Sequence, residues 1–264
     1  MTREKADVFR RLHGGPSVLL LPNAWDVASA RIIEEAGFPA VATSSAGVAH
    51  VLGYADGERI SRAEMLDMVR RIAAAVAVPV TADMEAGYGV TPQAAAETAR
   101  GVVSAGAVGM NLEDARPDGA LLPMQSQVER VRAAREAAPY LVINARTDAF
   151  PKSGIEEAIR RANAYLEAGA DCAFVPFVAD RQAIARLARE IRGPLNVLGT
   201  PASPPLAELQ RMGVRRVSLG SGPARVAYGR LRQFASELKT RGTWTALGEG
   251  AVTYAEMQAL FGVK

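Results

Sequence analysis

The 264-residue chain is poor in the side chains most used for covalent and metal chemistry. Its one cysteine, Cys172, excludes an intramolecular disulfide and any Cys-rich metal site. Two histidines, His13 and His50, are too few for a zinc triad. Lysine occurs only at 5, 152, 239 and 264, so an amine nucleophile has few places to come from, and 27 arginines carry nearly all the positive charge. A net charge of +3 without a Lys/Arg tract gives no footing for a nucleic-acid or membrane partner. The apolar runs are strand-length, and residues 1–7 lack the apolar stretch of a secretory signal. The expected location is therefore a reducing cytoplasm.

What the sequence does contain is a repeat. A short apolar run followed by an amphipathic segment recurs eight times, with strands expected at about 18–21, 40–44, 80–85, 108–113, 141–146, 172–176, 195–199 and 216–220. They are apolar on both faces, as parallel strands covered on two sides require. Ser61–Glu64, Ser126–Glu129 and Ser153–Glu156 have the spacing of capping boxes, and Thr91-Pro92 and Ser203-Pro204 place a cap before a proline; each predicts a helix start. Glycines 37, 106, 169 and 213 predict helix ends. Eight βα units predict one (β/α)8 barrel domain over residues 1–264, with a C-terminal helical tail from about 223. An open doubly wound sheet shares the alternation, but the count of eight and the polar residues at strand C-termini favour the closed barrel.

Those polar residues have a chemistry of their own. Strand 3 ends Asp83-Met-Glu85-Ala-Gly-Tyr-Gly89, and the i, i+2 spacing puts both carboxylates on one side of the strand at the barrel mouth. Asn111-Leu-Glu113-Asp114 and Asn144-Ala-Arg146-Thr-Asp148 bring further acids and one arginine to the same rim. Carboxylates crowded together take up protons unless a cation is present, and oxygen ligands without His or Cys suit Mg²⁺ or Mn²⁺. The alternative is rim acids paired with surface arginines. Arg146 suits bidentate recognition of a carboxylate or phosphate, or a structural ion pair with Glu113 or Asp148. Ser44-Ser45-Ala46-Gly47 either aims backbone N–H groups at an anion or is a plain loop. Trp25 is expected to wall the pocket, His50 to reach the mouth from the segment after the second strand, Gly87-Tyr-Gly89 to be a turn, Cys172 to be a core hydrophobe, His13 to lie at the surface and Lys152 to fall outside the barrel.

Taken in order, Leu21-Pro-Asn-Ala-Trp25-Asp26, Ser44-Ser-Ala-Gly-Val-Ala49, Leu52-Gly-Tyr-Ala-Asp56, Asp83-Met-Glu85-Ala-Gly-Tyr-Gly89, Asn111-Leu-Glu113-Asp114 and Asn144-Ala-Arg146-Thr-Asp148 resemble the isocitrate lyase and phosphoenolpyruvate mutase superfamily over about residues 17–230. The resemblance implies a homodimer or homotetramer that swaps the eighth barrel helix between subunits, and a Mg²⁺-dependent site for small 2-oxo acids and their enolates. It implies that Asp83, Glu85 and Glu113 are metal-shell carboxylates acting mostly through water, with Glu85 a longer arm than the family's usual Asp. It further implies that Ser44, Ser45 and Ala46 hold the substrate carboxylate, that Arg146 contacts the substrate's oxygens and that Asp56 touches the reacting centre. The loop after Asp114 departs from the pattern. Lyases of isocitrate or methylisocitrate carry Lys-Lys/Arg-Cys-Gly-His there, with the cysteine as acid, and the mutases a Lys-x-Asn element. Residues 115–125 contain no Cys, Lys or His, but do contain Arg116, which is expected to meet a distal carboxylate. The expected activity is a Mg²⁺-dependent C–C lyase or decarboxylase of a small 2-oxo or 2-hydroxy (di)carboxylic acid, oxaloacetate-type decarboxylation first, through an enolate. P–C chemistry on a phosphonopyruvate and non-catalytic 2-oxo acid binding are the alternatives.

Overall fold

The computed structural model describes residues 2–262 and contains nine parallel strands. They are β1 (Leu19–Leu21), β2 (Asn23–Ala24), β3 (Val41–Thr43), β4 (Val80–Asp83), β5 (Gly109–Glu113), β6 (Val142–Arg146), β7 (Cys172–Val175), β8 (Leu195–Leu198) and β9 (Arg216–Ser218). Only Pro22 separates β1 from β2. Because β1 pairs with β9 and β2 with β3, the two short strands act as one split stave and the ring closes as the expected α/β barrel. Proline lacks an N–H, which breaks the stave; its carbonyl still accepts from Ala42 N at 3.2 Å.

The register sets the mouth. Asp83 of β4 lies opposite Asn111 of β5, and Glu113 at the end of β5 lies opposite Arg146 at the end of β6. Three chemistry-bearing side chains thus emerge at the C-terminal ends of adjacent strands, where the sites of such barrels are built.

Local signals explain part of the helical layer. Ser61 forms the expected capping box with Glu64 at the start of helix Arg62–Ala75, and Thr91 accepts from Ala94 N ahead of Pro92. Three expected starts are corrected. Helix Met124–Ala137 begins at Pro123, which leaves Ser126 inside its first turn. Ser153 closes the short helix Ala149–Ser153, and the next helix starts from Gly154 at φ +87°, a backbone state that a serine there would resist. The Ser203 hydroxyl donates to Leu198 O, and helix Leu206–Arg211 starts after Pro205.

His13 is not at the surface. Helix Thr2–Leu12 plugs the bottom of the barrel with Phe9, and His13 is buried edge-on against that ring with Nδ1 bonded to Phe9 O at 2.9 Å. Burial, then the Arg216 charge, lowers its pKa to about 4. Cys172 is fully buried, and burial pushes its thiol up to about 12. At the other end of the chain, helix Gly222–Arg241 buries only Ala224 among its residues. Among the described residues, no helix is long and apolar enough to cross a membrane.

Candidate active site at the barrel mouth

A cavity of about 170 Å³ opens at the mouth. Asp56, Glu58, Glu85 and Glu113 form its acidic wall, Arg146 and Asp148 a second wall, and Arg116, Gly119 and Lys152 its outer edge. Ser45 also reaches it, whereas Trp25, Ser44, Ala46 and Asp83 are not among its wall residues. Trp25 stands behind, its ring 6.5 Å from that of Tyr228 and its backbone N–H on Ser29 Oγ. Close packing fixes it there, because a Cβ on Gly47 would come within 2.7 Å of the Trp25 Cβ.

Glu85 arrives by a route that the i, i+2 argument does not describe. Strand β4 ends at Asp83, and Glu85 has left-handed backbone, φ +50°. Glu58 (φ +56°), Tyr88 (φ +58°) and Phe177 (φ +61°) are the other described non-glycine residues in that region, and all four lie around the mouth. Each such conformation costs on the order of 1–3 kcal/mol and persists only where its surroundings over-determine it. Those surroundings are visible. Glu58 N donates to Glu85 Oε2 at 2.6 Å, Tyr88 N donates to Glu58 Oε1 at 2.7 Å, and the buried Arg130 guanidinium binds the carbonyls of Ala86, Gly89 and Glu113. Gly87 at φ +85° makes the turn, and a Cβ there would meet Leu112 at 2.7 Å.

Asp83 is held by Ser45, whose N–H and hydroxyl both donate to Oδ2 at 3.0 and 2.8 Å, and by Asn111 Nδ2 at 3.3 Å. Ser44 caps helix Ser45–Val51 by accepting from Gly47 N. The first-turn N–H of Ala46 is left without an intrahelical acceptor. Of the two alternatives for this segment, anion-facing N–H groups or a plain loop, the fold shows a capped helix start in which both Ser45 donors are committed to Asp83.

Arg146 engages two acids at once. Its Nη1 lies 2.7 Å from Glu113, and Nε and Nη2 grip Asp148 at 2.7 and 2.9 Å. A guanidinium has five N–H donors, so one on each terminal nitrogen remains for a ligand. Burial alone would lower its pKa, but Glu113 and Asp148 outweigh that and raise it. The rings of Phe174 and Phe177 lie 5.8 and 5.6 Å from its Cζ. The two readings offered for Arg146, structural ion pair and ligand contact, are thus compatible.

The acids share one electrostatic condition. Burial first, then the charges of Asp83 and Asp56, push Glu85 up to about 8. Burial raises Glu113 well above the carboxylate range against the pull of Arg146, and partial burial followed by Asp83 raises the more exposed Asp56. Glu85 Oε1 is buried with no hydrogen-bond partner. An all-oxygen donor set that resists ionisation and leaves one buried oxygen bare fits a hard divalent cation. Among the described residues, no three of His, Cys, Asp and Glu converge closely enough to hold an ion directly. The fit is therefore to a cation that keeps much of its water, as Mg²⁺ commonly does.

Two expectations are corrected here and two residues are added. Asp114 is not a mouth acid: fully buried outside the barrel lumen, it accepts from Thr147, Arg161 and Tyr165. His50 is exposed on its helix and is not among the cavity wall residues. Glu58 and Lys152 line the cavity although sequence reasoning passed over the first and placed the second outside the barrel. The signal for both was their position in the segments that follow strand C-termini, since such segments build the top of a barrel.

Known proteins resemble this chain in sequence and in fold. A family model described as phosphoenolpyruvate phosphomutase matches residues 9–239. A 2-methylisocitrate lyase of Bacillus subtilis is 32% identical over 200 residues, 73% of this chain and 66% of its own length. A crystal structure from Burkholderia cenocepacia, assigned provisionally as a lyase or mutase, superposes with a TM-score of 0.93 at 36% identity, covering 99% of this chain and 97% of that one. An oxaloacetate acetylhydrolase in complex with its product oxalate superposes at 0.89 and 26% identity, covering 99% and 95%.

Proposed function

The chain belongs to the phosphoenolpyruvate phosphomutase family, and from that premise we propose that it is a Mg²⁺-dependent carbon–carbon lyase of a small 2-oxo or 2-hydroxy dicarboxylic acid, with oxaloacetate-type decarboxylation its best single reaction. The observation that carries this reading is the pairing across the mouth of Arg146, with two N–H donors to spare, and Glu85, with a bare buried oxygen.

Asp83, Glu85 and Glu113 would hold the cation, mostly through water. When bound, Mg²⁺ or Mn²⁺ supplies Lewis-acid polarisation of the 2-oxo oxygen. Arg146 donates to the same end of the substrate and stabilises the negative charge that develops there as a C–C bond breaks toward an enolate. The substrate carboxylate rests at the turn of Ser44, Ser45 and Ala46, where the Ala46 N–H is the uncommitted donor. Asp56, at the lip of the cavity and raised in pKa, takes or returns the proton. Arg116 at the outer edge faces the distal group.

The test is a turnover panel in Mg²⁺. Oxaloacetate or a related 2-oxo diacid should be consumed faster than in Mg²⁺ buffer alone. 2-Methylisocitrate should turn over at least about 10²-fold more slowly, because a missing general acid costs about that much. Rapid pyruvate release from 2-methylisocitrate would overturn the assignment. Conversion of phosphonopyruvate would select P–C chemistry, and binding without turnover would select a 2-oxo acid binding protein.

A second copy of this chain completes the assembly in the same reading. Val226, Leu231, Trp244 and Leu247 are 75%, 61%, 67% and 57% exposed along and after helix Gly222–Arg241, which is the element expected to swap. Light scattering at micromolar concentration should give a dimer or tetramer, and a 27.9 kDa particle would count against the swap.

A further inference from the structure

We propose that Lys152 forms a second anion subsite at the outer end of the cavity and thereby selects substrates that carry a second negatively charged group over their monoanionic counterparts. This deepens the 2-oxo acid reading above and rests on it.

The argument begins with charge placement. The inner cavity is acidic, and its one cation, Arg146, is already matched by Glu113 and Asp148. At the outer edge Arg116 is matched by Asp118 at 2.7 Å. Lys152 has no carboxylate partner among the described residues; its ammonium donates only to the Gly119 carbonyl. An ammonium carries three donors, so two remain for a charged acceptor.

Backbone geometry holds that charge in place. Lys152 belongs to helix Ala149–Ser153, four residues after Asp148, the residue that grips Arg146. One helical turn sets Asp148 and Lys152 on the same face. Ala149 is buried, and Asp148 N is anchored by Asp114 Oδ1 at 3.0 Å, so the turn is fixed to the barrel. On the opposite side, Arg116 N to Ala120 O at 2.9 Å and Gly119 N to Arg116 O at 2.8 Å close a tight loop that presents the Gly119 carbonyl. The Gly119 carbonyl gives Lys152 a neutral acceptor until a charged one arrives.

Size points the same way. A cavity of about 170 Å³ is below the roughly 300–1,000 Å³ of drug-sized pockets, so it takes a small acid with one end at Arg146 and the other at the rim. A monoanion held at the inner end leaves Lys152 unmatched, whereas a diacid places its distal carboxylate there.

Calorimetric titration of the Mg²⁺-loaded protein tests this with two probes, pyruvate as the monoanion and 3,3-difluorooxaloacetate as the dianion. The wild-type protein should prefer the dianion. In Lys152→Met the ratio of dianion to monoanion affinity should fall about tenfold or more, as loss of one charge-assisted hydrogen bond implies, and Lys152→Arg should restore most of it. A ratio unchanged in Lys152→Met, with both ligands weakened equally or neither weakened, makes Lys152 a prop for the loop and overturns the subsite while the parent reading stands. Failure of the wild-type protein to bind either probe overturns the parent reading and the subsite with it.

Discussion

Arg146→Ala should slow Mg²⁺-dependent exchange of the pyruvate methyl protons with D₂O by about 10²-fold or more, the loss typical when one preorganised donor to a developing oxyanion is removed. Exchange requires only that the protein form the enolate of a 2-oxo acid, so it reads the chemical half of the site without knowledge of the physiological substrate. The two unspent donors of Arg146 are the groups placed to meet that charge. The substitution also leaves Glu113 and Asp148 without their cation, so its folding must be checked by urea denaturation before the rate is interpreted. Arg146→Lys separates the contributions, because it keeps the charge and loses the planar fork. Proton NMR of the methyl signal is the measurement. Exchange within threefold of wild type in a folded Arg146→Ala would sink the role given to this residue. Wild-type exchange no faster than buffer with Mg²⁺ would sink the enolate altogether. The same assay reads the metal: chelation should abolish exchange, and Asp83→Ala should weaken Mn²⁺ binding at least tenfold. Unchanged affinity would remove Asp83 from the shell. Loss of exchange in Asp56→Ala would identify the base, and its survival would move the base elsewhere.

The barrel was legible because its signal is periodic and repeated. Eight apolar runs, four of them preceded by C′ glycines, locate the strands to within one or two residues, and only the split at Pro22 was hidden. Helix starts were less legible where the cue was a local Ser-x-x-Glu pattern. Ser126 and Ser153 satisfy that pattern, yet Pro123 and the left-handed Gly154 set the chain direction first. At the mouth, residue types were legible and routes were not. Glu85 belongs to the site, but through a left-handed turn that depends on Glu58, 27 residues away, and on Arg130, whose guanidinium reaches back to Ala86. Lys152 enters the cavity because the short helix after β6 folds back over the mouth to meet Gly119. No spacing rule reports contacts of that range, since they follow from how the loops close over the assembled barrel.

Asp114 is the sharpest case, and its expected behaviour is the second large effect. Adjacent residues on a strand point to opposite faces, so the register that sends Glu113 into the mouth sends Asp114 outward beneath the helices. There it is fully buried. Oδ2 accepts from Thr147 Oγ1 at 2.8 Å, Tyr165 OH at 2.7 Å and Arg161 Nη1 at 3.0 Å, and Oδ1 accepts from Asp148 N at 3.0 Å. Arg161 is itself nearly buried and also donates to Leu122 O at 2.9 Å, so this network anchors the base of the loop that carries Arg116 and the turn that carries Asp148. Removing one member of a buried ion pair costs about 3–5 kcal/mol, a large share of a total stability of roughly 5–15 kcal/mol. Asp114→Ala should therefore lower Tm on the order of 10 °C. The double variant Asp114→Ala with Arg161→Met should recover part of that loss, because it no longer strands a buried guanidinium. Scanning calorimetry of the two single variants and the double variant measures the coupling. A Tm change below about 2 °C in Asp114→Ala would mean that the network carries little of the fold. A double variant no more stable than the sum of its parts would mean that Asp114 and Arg161 act independently, with Glu157, 2.7 Å from Arg161 Nε, the partner that matters.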